Sequence, residues 1–113
     1  MAVSTAIPKG AKRLRTITIC GARIPVYRVE PGMLAEMGED FGQCDFNRLC
    51  IFVRSGQHPT QERDTIMHEC VHMFLHQSGL RQLLESACKT GDFVAFEETI
   101  VRVATPHLVG YLK

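Results

Sequence analysis

The sequence predicts a small α+β domain, in which strands from the N-terminal half form an antiparallel sheet and the C-terminal half packs on it as helices. Two observations support this prediction. Segments rich in β-branched residues occur before residue 55, and apolar residues recur at helical spacing after residue 58. The chain has 113 residues, the length of one domain, so we expect residues 1–113 to form a single domain with residues 1–13 as a flexible tail.

Three strands are predicted in the first half. Residues 14–20 and 24–29 alternate between apolar and polar side chains, and residues 21–23 between them suit a hairpin turn. Residues 48–54 form the clearest strand, which a Ser-Gly pair ends. Between the second and third strands, a glycine-containing segment is predicted to hold only a short helix at 31–37.

Three helices are predicted in the second half. The first is expected to run from about Thr60 to Ser78, because Pro59 suits a first helical turn and Gly79 suits a helix end. A second helix covers residues 80–88. A turn at 89–92 then leads to a third helix over residues 93–105, and Pro106 either ends that helix or starts a short last turn to Leu112.

The net charge and the cysteine content indicate which partners the protein binds and in which cellular compartment it works. The net charge of +1 argues against binding to nucleic acid or to an acidic membrane surface. No apolar run is long enough for a signal peptide or a membrane span. The five cysteines form no CxxC pair and are odd in number, which does not suit a disulfide framework. We therefore expect a cytoplasmic protein.

An HExxH motif, His68-Glu69-Cys70-Val71-His72, lies within the first predicted helix. Residues four apart on a helix differ by about 40° around its axis, so both imidazoles can reach one tetrahedral Zn²⁺ ion. Glu69 stands beside them, where its carboxylate can act as a general base toward water. An exposed histidine pair without function is the alternative. The helical context favours His68 and His72 as metal ligands and Glu69 as the catalytic residue.

A catalytic zinc site needs a third protein ligand, and the third predicted helix offers two adjacent candidates, Glu97 and Glu98. Phe96 and Ile100 belong to the inward face of that helix. Glu97 lies about 40° from the middle of this face, whereas Glu98 lies about 140° away. A carboxylate on an apolar face needs a partner, and zinc would be that partner. We therefore expect Glu97 to be the third ligand, with Glu98 as the alternative.

The combination of HExxH on one helix and a glutamate on a later helix resembles the gluzincin metallopeptidases. The likeness is strongest to their smallest members, the minigluzincins and the ImmA/IrrE-like metallopeptidases found in phages and mobile elements. Residues 65–72 are similar to the active-site helix of these proteins, and residues 96–102 are similar to their glutamate helix. The small and polar residues of the usual glutamate signature are absent, since Ile100 and Val101 stand there.

The resemblance implies a zincin-like metallopeptidase domain of phage type that hydrolyses peptide bonds with zinc as cofactor. It also implies that a peptide or protein substrate pairs along residues 48–54, acting as an edge strand. The competing hypothesis is a non-catalytic, zinc-containing binding or regulatory protein of phage or mobile-element origin. In that protein a fourth side chain, such as His76 or His107, would fill the open metal position.

Overall fold

The computed structural model describes residues 6–88 and 92–112, and its element order follows the predicted change from strands to helices. The strands are β1 (Lys12–Ile19), β2 (Ala22–Val29), β3 (Gly42–Asp45) and β4 (Cys50–Arg54). The helices are α1 (Pro59–Gln77), α2 (Leu80–Ala87) and α3 (Phe93–Leu108). Short 3-10 helices cover Ala35–Met37 and Val109–Tyr111. The predicted α+β class is confirmed.

A tight hairpin joins β1 to β2, close to where the sequence predicts one. Ile19 pairs with Ala22, which leaves Cys20 and Gly21 as the two turn residues. Their φ angles are 50° and 81°, and two positive φ angles in succession give a type I′ turn, whose twist matches that of the strands it joins. The predicted turn at 21–23 was therefore displaced by one residue. Of the predicted flexible tail at 1–13, residues 1–5 lie outside the described part of the chain.

The sheet is mixed, with strand order β1-β2-β4-β3. The pairs β1·β2 and β3·β4 are antiparallel, whereas β2·β4 is parallel, so the prediction of an antiparallel sheet is wrong for the central pair. The cause is β3, which the sequence did not predict. The chain passes the position of β4, runs back along the far edge as β3, and returns as β4 in the direction of β2.

This topology places β4 in the interior of the sheet. It pairs with β2 on one side and with β3 on the other, and residues 50–53 are fully buried. A strand with two partners has no free row of backbone groups, so the prediction that residues 48–54 form an edge strand is wrong. The edge strand on this side of the sheet is β3.

The two faces of the sheet pack against different layers. One face contacts α1, where apolar side chains from β2 and β4 meet one side of the helix. This cluster includes Ile24, Val26, Ile51, Val53, Ile66, Cys70 and Met73. The opposite face is covered by the segment after β2, whose Leu34 and Met37 pack near Phe52. Burial on both faces explains why β4 lacks the polar alternation of an exposed strand.

A third apolar cluster joins α1 to α3 through Val71, Leu75 and Val101, and it brings the middle of α3 beside the C-terminal half of α1. Pro106 does not end α3, which continues to Leu108, and the alternative of a short last turn fits the 3-10 helix that follows. Proline removes one helical hydrogen bond. Its cost is small here, because Pro106 lies near the end of the helix and few helical hydrogen bonds follow it. No helix of the described residues is long and apolar enough to cross a membrane.

Candidate metal centre

Helix α1 positions the HExxH residues. Its N-terminus is fixed by His58, whose Nδ1 accepts a hydrogen bond from the Thr60 amide at 3.2 Å, and by Pro59 in the first turn. The helix then runs without interruption past His68 and His72, whose ring centroids lie 5.0 Å apart. The expectation that both imidazoles share one helix face is confirmed.

Glu98 of α3 bridges the two imidazoles. Its Oε1 lies 3.0 Å from Nε2 of His68, and its Oε2 lies 3.1 Å from Nε2 of His72. One donor atom from each of these three residues lies within 4.8 Å of the other two. Two imidazole nitrogens and a carboxylate oxygen form a donor set that suits zinc. The group His68, His72 and Glu98 could therefore hold a metal ion.

Glu97 occupies a different place. Its side chain is buried, as the helical wheel predicted, but its Oε2 lies 2.8 Å from Nδ1 of His72, on the far side of the ring. The structure thus brings Glu98, the alternative candidate, to the two Nε2 atoms, and not Glu97. The predicted inward face was wrong at Phe96, which is 50% exposed. The buried residues of α3 are Glu97, Val101 and Thr105, and the half-exposed Glu98 beside them reaches both imidazoles.

The contacts of His72 test whether these residues suit a cation. A neutral imidazole carries one ring proton, and donation of that proton from Nδ1 to Glu97 leaves a lone pair on Nε2. This lone pair faces a carboxylate oxygen of Glu98 at 3.1 Å. Two electron-rich atoms at that distance repel each other unless a proton or a metal cation lies between them. The arrangement therefore fits a cation held by Nε2 and the carboxylate.

Glu69 lies beneath the imidazoles and is almost fully buried. Burial raises the pKa of its carboxyl above the ordinary value, and the neighbouring His72 and His68 offset part of that rise. A carboxylate with a raised pKa is a stronger base than an exposed one, which suits proton abstraction near neutral pH. The predicted catalytic residue is thus placed directly beside the candidate metal ligands.

Two residues of β3 that the sequence did not single out contact this part of α1. Cys44 donates from Sγ to the backbone carbonyl of Glu69 at 2.9 Å, and burial raises the pKa of the Cys44 thiol far above its ordinary range, so the thiol keeps its proton. A Cβ atom at Gly42 would lie 2.6 Å from Thr65 Cγ2 and 3.1 Å from Glu69 Cγ. Only glycine allows the edge strand to approach so closely, a signal that is not visible without knowing that 42–45 is a strand.

These elements enclose an open cleft of about 950 Å³. Helix α1 forms its floor, β3 forms one wall, and α3 with the residues that follow it forms the other. The cleft contains Glu69 and the three candidate ligands. Outside this polar centre, its lining includes Phe41, Phe46, Pro106 and Val109. The cleft is open to solvent, and the candidate ligands and Glu69 are among its lining residues.

A family model described as the IrrE N-terminal-like domain, a peptidase family, matches residues 24–104 of the chain. The match covers well over half of the sequence and includes the HExxH helix and both glutamates of α3. No curated protein and no solved structure shows significant similarity to the chain. The resemblance to ImmA/IrrE-like proteins is confirmed. Because the matched region contains the whole candidate metal centre, the chain belongs to the IrrE N-terminal-like family of metallopeptidase-type domains.

Proposed function

We propose that the protein is a zinc-dependent metallopeptidase in which His68, His72 and Glu98 hold the ion and Glu69 is the general base. The observation that carries this proposal is the convergence of three donor atoms within 4.8 Å of one another beside a buried carboxylate. Membership of a peptidase family supports the reaction class. The HExxH spacing, together with a glutamate from a second helix as the third proposed ligand, supports assignment to the gluzincin type.

The donor set favours zinc over other divalent ions. Magnesium and calcium prefer shells made of oxygen atoms, whereas two imidazoles and one carboxylate are typical ligands of catalytic zinc. When bound, zinc would polarise the scissile carbonyl and acidify a water molecule. Three protein ligands leave the fourth tetrahedral position to water or substrate.

The side chains of α1 and α3 then have distinct tasks. Glu69 takes a proton from the water that attacks the peptide carbonyl, and it gives that proton to the leaving amine. Glu97 accepts a hydrogen bond from Nδ1 of His72, which fixes the ring and keeps its Nε2 available as a ligand. Burial of Glu69 keeps bulk water away from the proton that it carries.

Strand β3 is the proposed binding edge for a peptide or protein substrate. It has a strand partner on one side only, and it borders the cleft that contains the metal centre. An extended peptide can add to such an edge through main-chain hydrogen bonds, which are independent of its sequence. The close approach of Gly42 to α1 would keep this edge near Glu69.

The non-catalytic alternative requires a fourth protein ligand. His76 and His107 were the candidates for that role. His76 stacks on Phe46 with ring centroids 4.1 Å apart, and His107 is exposed. Among the residues that the structure describes, the group that could hold an ion has three members and contains neither histidine. This observation favours an open metal position and therefore catalysis.

The test combines metal content with hydrolysis. The purified chain is stripped with a chelator, reloaded with Zn²⁺, Mn²⁺ or Mg²⁺ in separate samples, and incubated with a complex peptide library that is analysed by mass spectrometry. We expect one zinc ion per chain, with cleavage of peptides in the zinc sample that chelation abolishes. Stoichiometric zinc without cleavage of peptides or unfolded proteins would favour the non-catalytic alternative.

A further inference from the structure

Arg81 of α2 is the basic residue that meets the buried carboxylate behind the metal centre. Its Nε lies 3.3 Å from Glu97 Oε1, while the other oxygen of Glu97 lies 2.8 Å from Nδ1 of His72. The Glu97 side chain is only 11% exposed. The contact with Arg81 is an ion pair without hydrogen-bond alignment, since both atoms lack a hydrogen-bond partner within the described residues. The arginine therefore restrains Glu97 mainly by charge.

Two aromatic rings hold the guanidinium in place. Its central carbon lies 5.5 Å from the ring centroid of Phe46 and 5.9 Å from that of Phe93. Phe46 follows β3 and stacks on His76 of α1, and Phe93 is the first residue of α3. A cation between two rings is favoured by the negative faces of both. Arg81 thus lies at a junction of β3, α1, α2 and α3, although α2 itself contributes no buried residue.

We propose that Arg81 is a positioning residue for the metal centre, acting through Glu97 to fix the orientation and tautomer of His72. The inference rests on the proposed zinc site, and it adds a role for α2, which contributes no ligand. Its basis is the continuous path from the Arg81 guanidinium to Glu97 and from Glu97 to Nδ1 of His72.

The physical reason lies in the burial of Glu97. A buried carboxylate needs compensation for lost hydration, and among the described residues Arg81 and His72 are the charged or polar side chains that contact it. Without Arg81, the Glu97 carboxylate recovers hydration by turning toward solvent. Its hydrogen bond with Nδ1 of His72 is then lost. A ligand ring that loses its outer hydrogen bond binds metal more weakly, by about 10- to 100-fold in comparable sites.

The experiment measures Zn²⁺ affinity by competition with a chromophoric chelator. Arg81→Met removes the charge and keeps a long apolar stem between the rings, and we expect its affinity to fall about tenfold. Arg28→Met is the matched control, because it breaks the Arg28–Glu62 pair, whose side chains are 34% and 16% exposed, close to the 35% and 11% of Arg81 and Glu97. This control should bind zinc within about twofold of the wild type.

A double-variant cycle separates positioning from general loss of structure. If Arg81 acts through Glu97, then Arg81→Met combined with Glu97→Gln should bind zinc no more weakly than Glu97→Gln alone. A purely structural role would give additive losses. Nitrogen-15 NMR of the zinc-loaded protein gives a second readout, because the Nδ1 proton of His72 should exchange with solvent faster in Arg81→Met than in the wild type.

The outcomes distinguish this inference from the proposed function. Unchanged zinc affinity in Arg81→Met, or additive losses in the cycle, would overturn the positioning role while leaving the zinc site intact. A wild-type chain that binds no zinc would overturn both. A tenfold loss that disappears in the Glu97→Gln background, together with faster exchange at His72, is the result we expect.

Discussion

Nδ1 of His72 lies 2.8 Å from Oε2 of Glu97, and this contact decides which of two adjacent glutamates is free to bind a metal. Consecutive residues on a helix point about 100° apart, so Glu97 and Glu98 approach the same imidazole from opposite sides. Glu97 meets Nδ1, whereas Glu98 meets Nε2 and also reaches Nε2 of His68, one turn earlier on α1. In the proposed zinc site, Glu97 would therefore orient the ring and Glu98 would complete the donor set.

Glutamine substitutions at the two positions should separate these tasks. Glu98→Gln replaces a charged ligand by a weak one, and we expect stoichiometric zinc binding to be lost at micromolar concentrations. Glu97→Gln keeps a carbonyl oxygen that can accept from Nδ1, so zinc should still bind, about 10- to 100-fold more weakly than in the wild type. Metal analysis after gel filtration and chelator competition provide the measurements. The reverse order of losses would restore the expectation that Glu97 is the ligand.

Glu69→Gln should separate chemistry from metal binding. The amide preserves the shape of the side chain but cannot accept a proton from water, so peptide cleavage should fall by at least about 100-fold. The zinc content should remain one ion per chain, because Glu69 is not among the donors near Nε2 of His68 and His72. His68→Ala is the companion variant, and it should lose both zinc and cleavage. Hydrolysis at the wild-type rate in Glu69→Gln would remove the residue from its assigned role.

Elements governed by local rules were predictable from the sequence. The limits of α1 follow from Pro59 and Gly79, and the hairpin of β1 and β2 follows from two alternating segments around a glycine. The placement of His68 and His72 on one helix face follows from their spacing alone. In each case the decisive interactions join residues that are close in sequence, so periodicity and turn chemistry are sufficient to predict the structure.

Features that depend on distant contacts were not predictable in this way. Strand β3 has four residues, begins at a glycine, and exists because it pairs with β4, so its own sequence carries little signal. Without β3, the sequence pattern predicts β4 as an edge strand and gives no sign of its parallel pairing with β2. Helical spacing also could not show that Glu98 is the glutamate that meets Nε2, because the rotation of α3 against α1 determines which carboxylate does so.

Zinc should stabilise the folded chain, because the proposed ligands come together only when α1 and α3 are packed. At a free zinc concentration 100 times the dissociation constant, linkage predicts about 2.7 kcal/mol of added free energy of unfolding. Urea unfolding followed by circular dichroism, with reductant present to keep the cysteines free, measures this difference between zinc-loaded and chelated samples. His68→Ala should show no zinc-dependent change. A zinc effect of equal size in that variant would place the stabilising ion elsewhere.

Gly42→Ala should destabilise the fold and impair the cleft. The new Cβ atom would lie 2.6 Å from Thr65 Cγ2, and the β-branched threonine cannot easily move away because its hydroxyl donates to Gln57 Oε1 at 2.8 Å. Overpacking of this kind costs about 1–3 kcal/mol, measured as the loss in free energy of unfolding. Gly110→Ala is the matched control, since a Cβ there meets no atom within 4 Å, and it should change stability by less than about 0.5 kcal/mol.

Thr65→Ser, combined with Gly42→Ala, tests whether the loss of stability comes from the contact between the new Cβ atom and Thr65 Cγ2. Serine lacks Cγ2 but retains the hydroxyl that bonds to Gln57, so the double variant should recover most of the lost stability. The Cβ would still lie 3.1 Å from Glu69 Cγ, so β3 stays slightly displaced from the general base. Peptide cleavage by the zinc-loaded double variant should therefore recover less completely than its free energy of unfolding. Equal recovery of both would mean that the close approach of β3 to Glu69 has no part in catalysis.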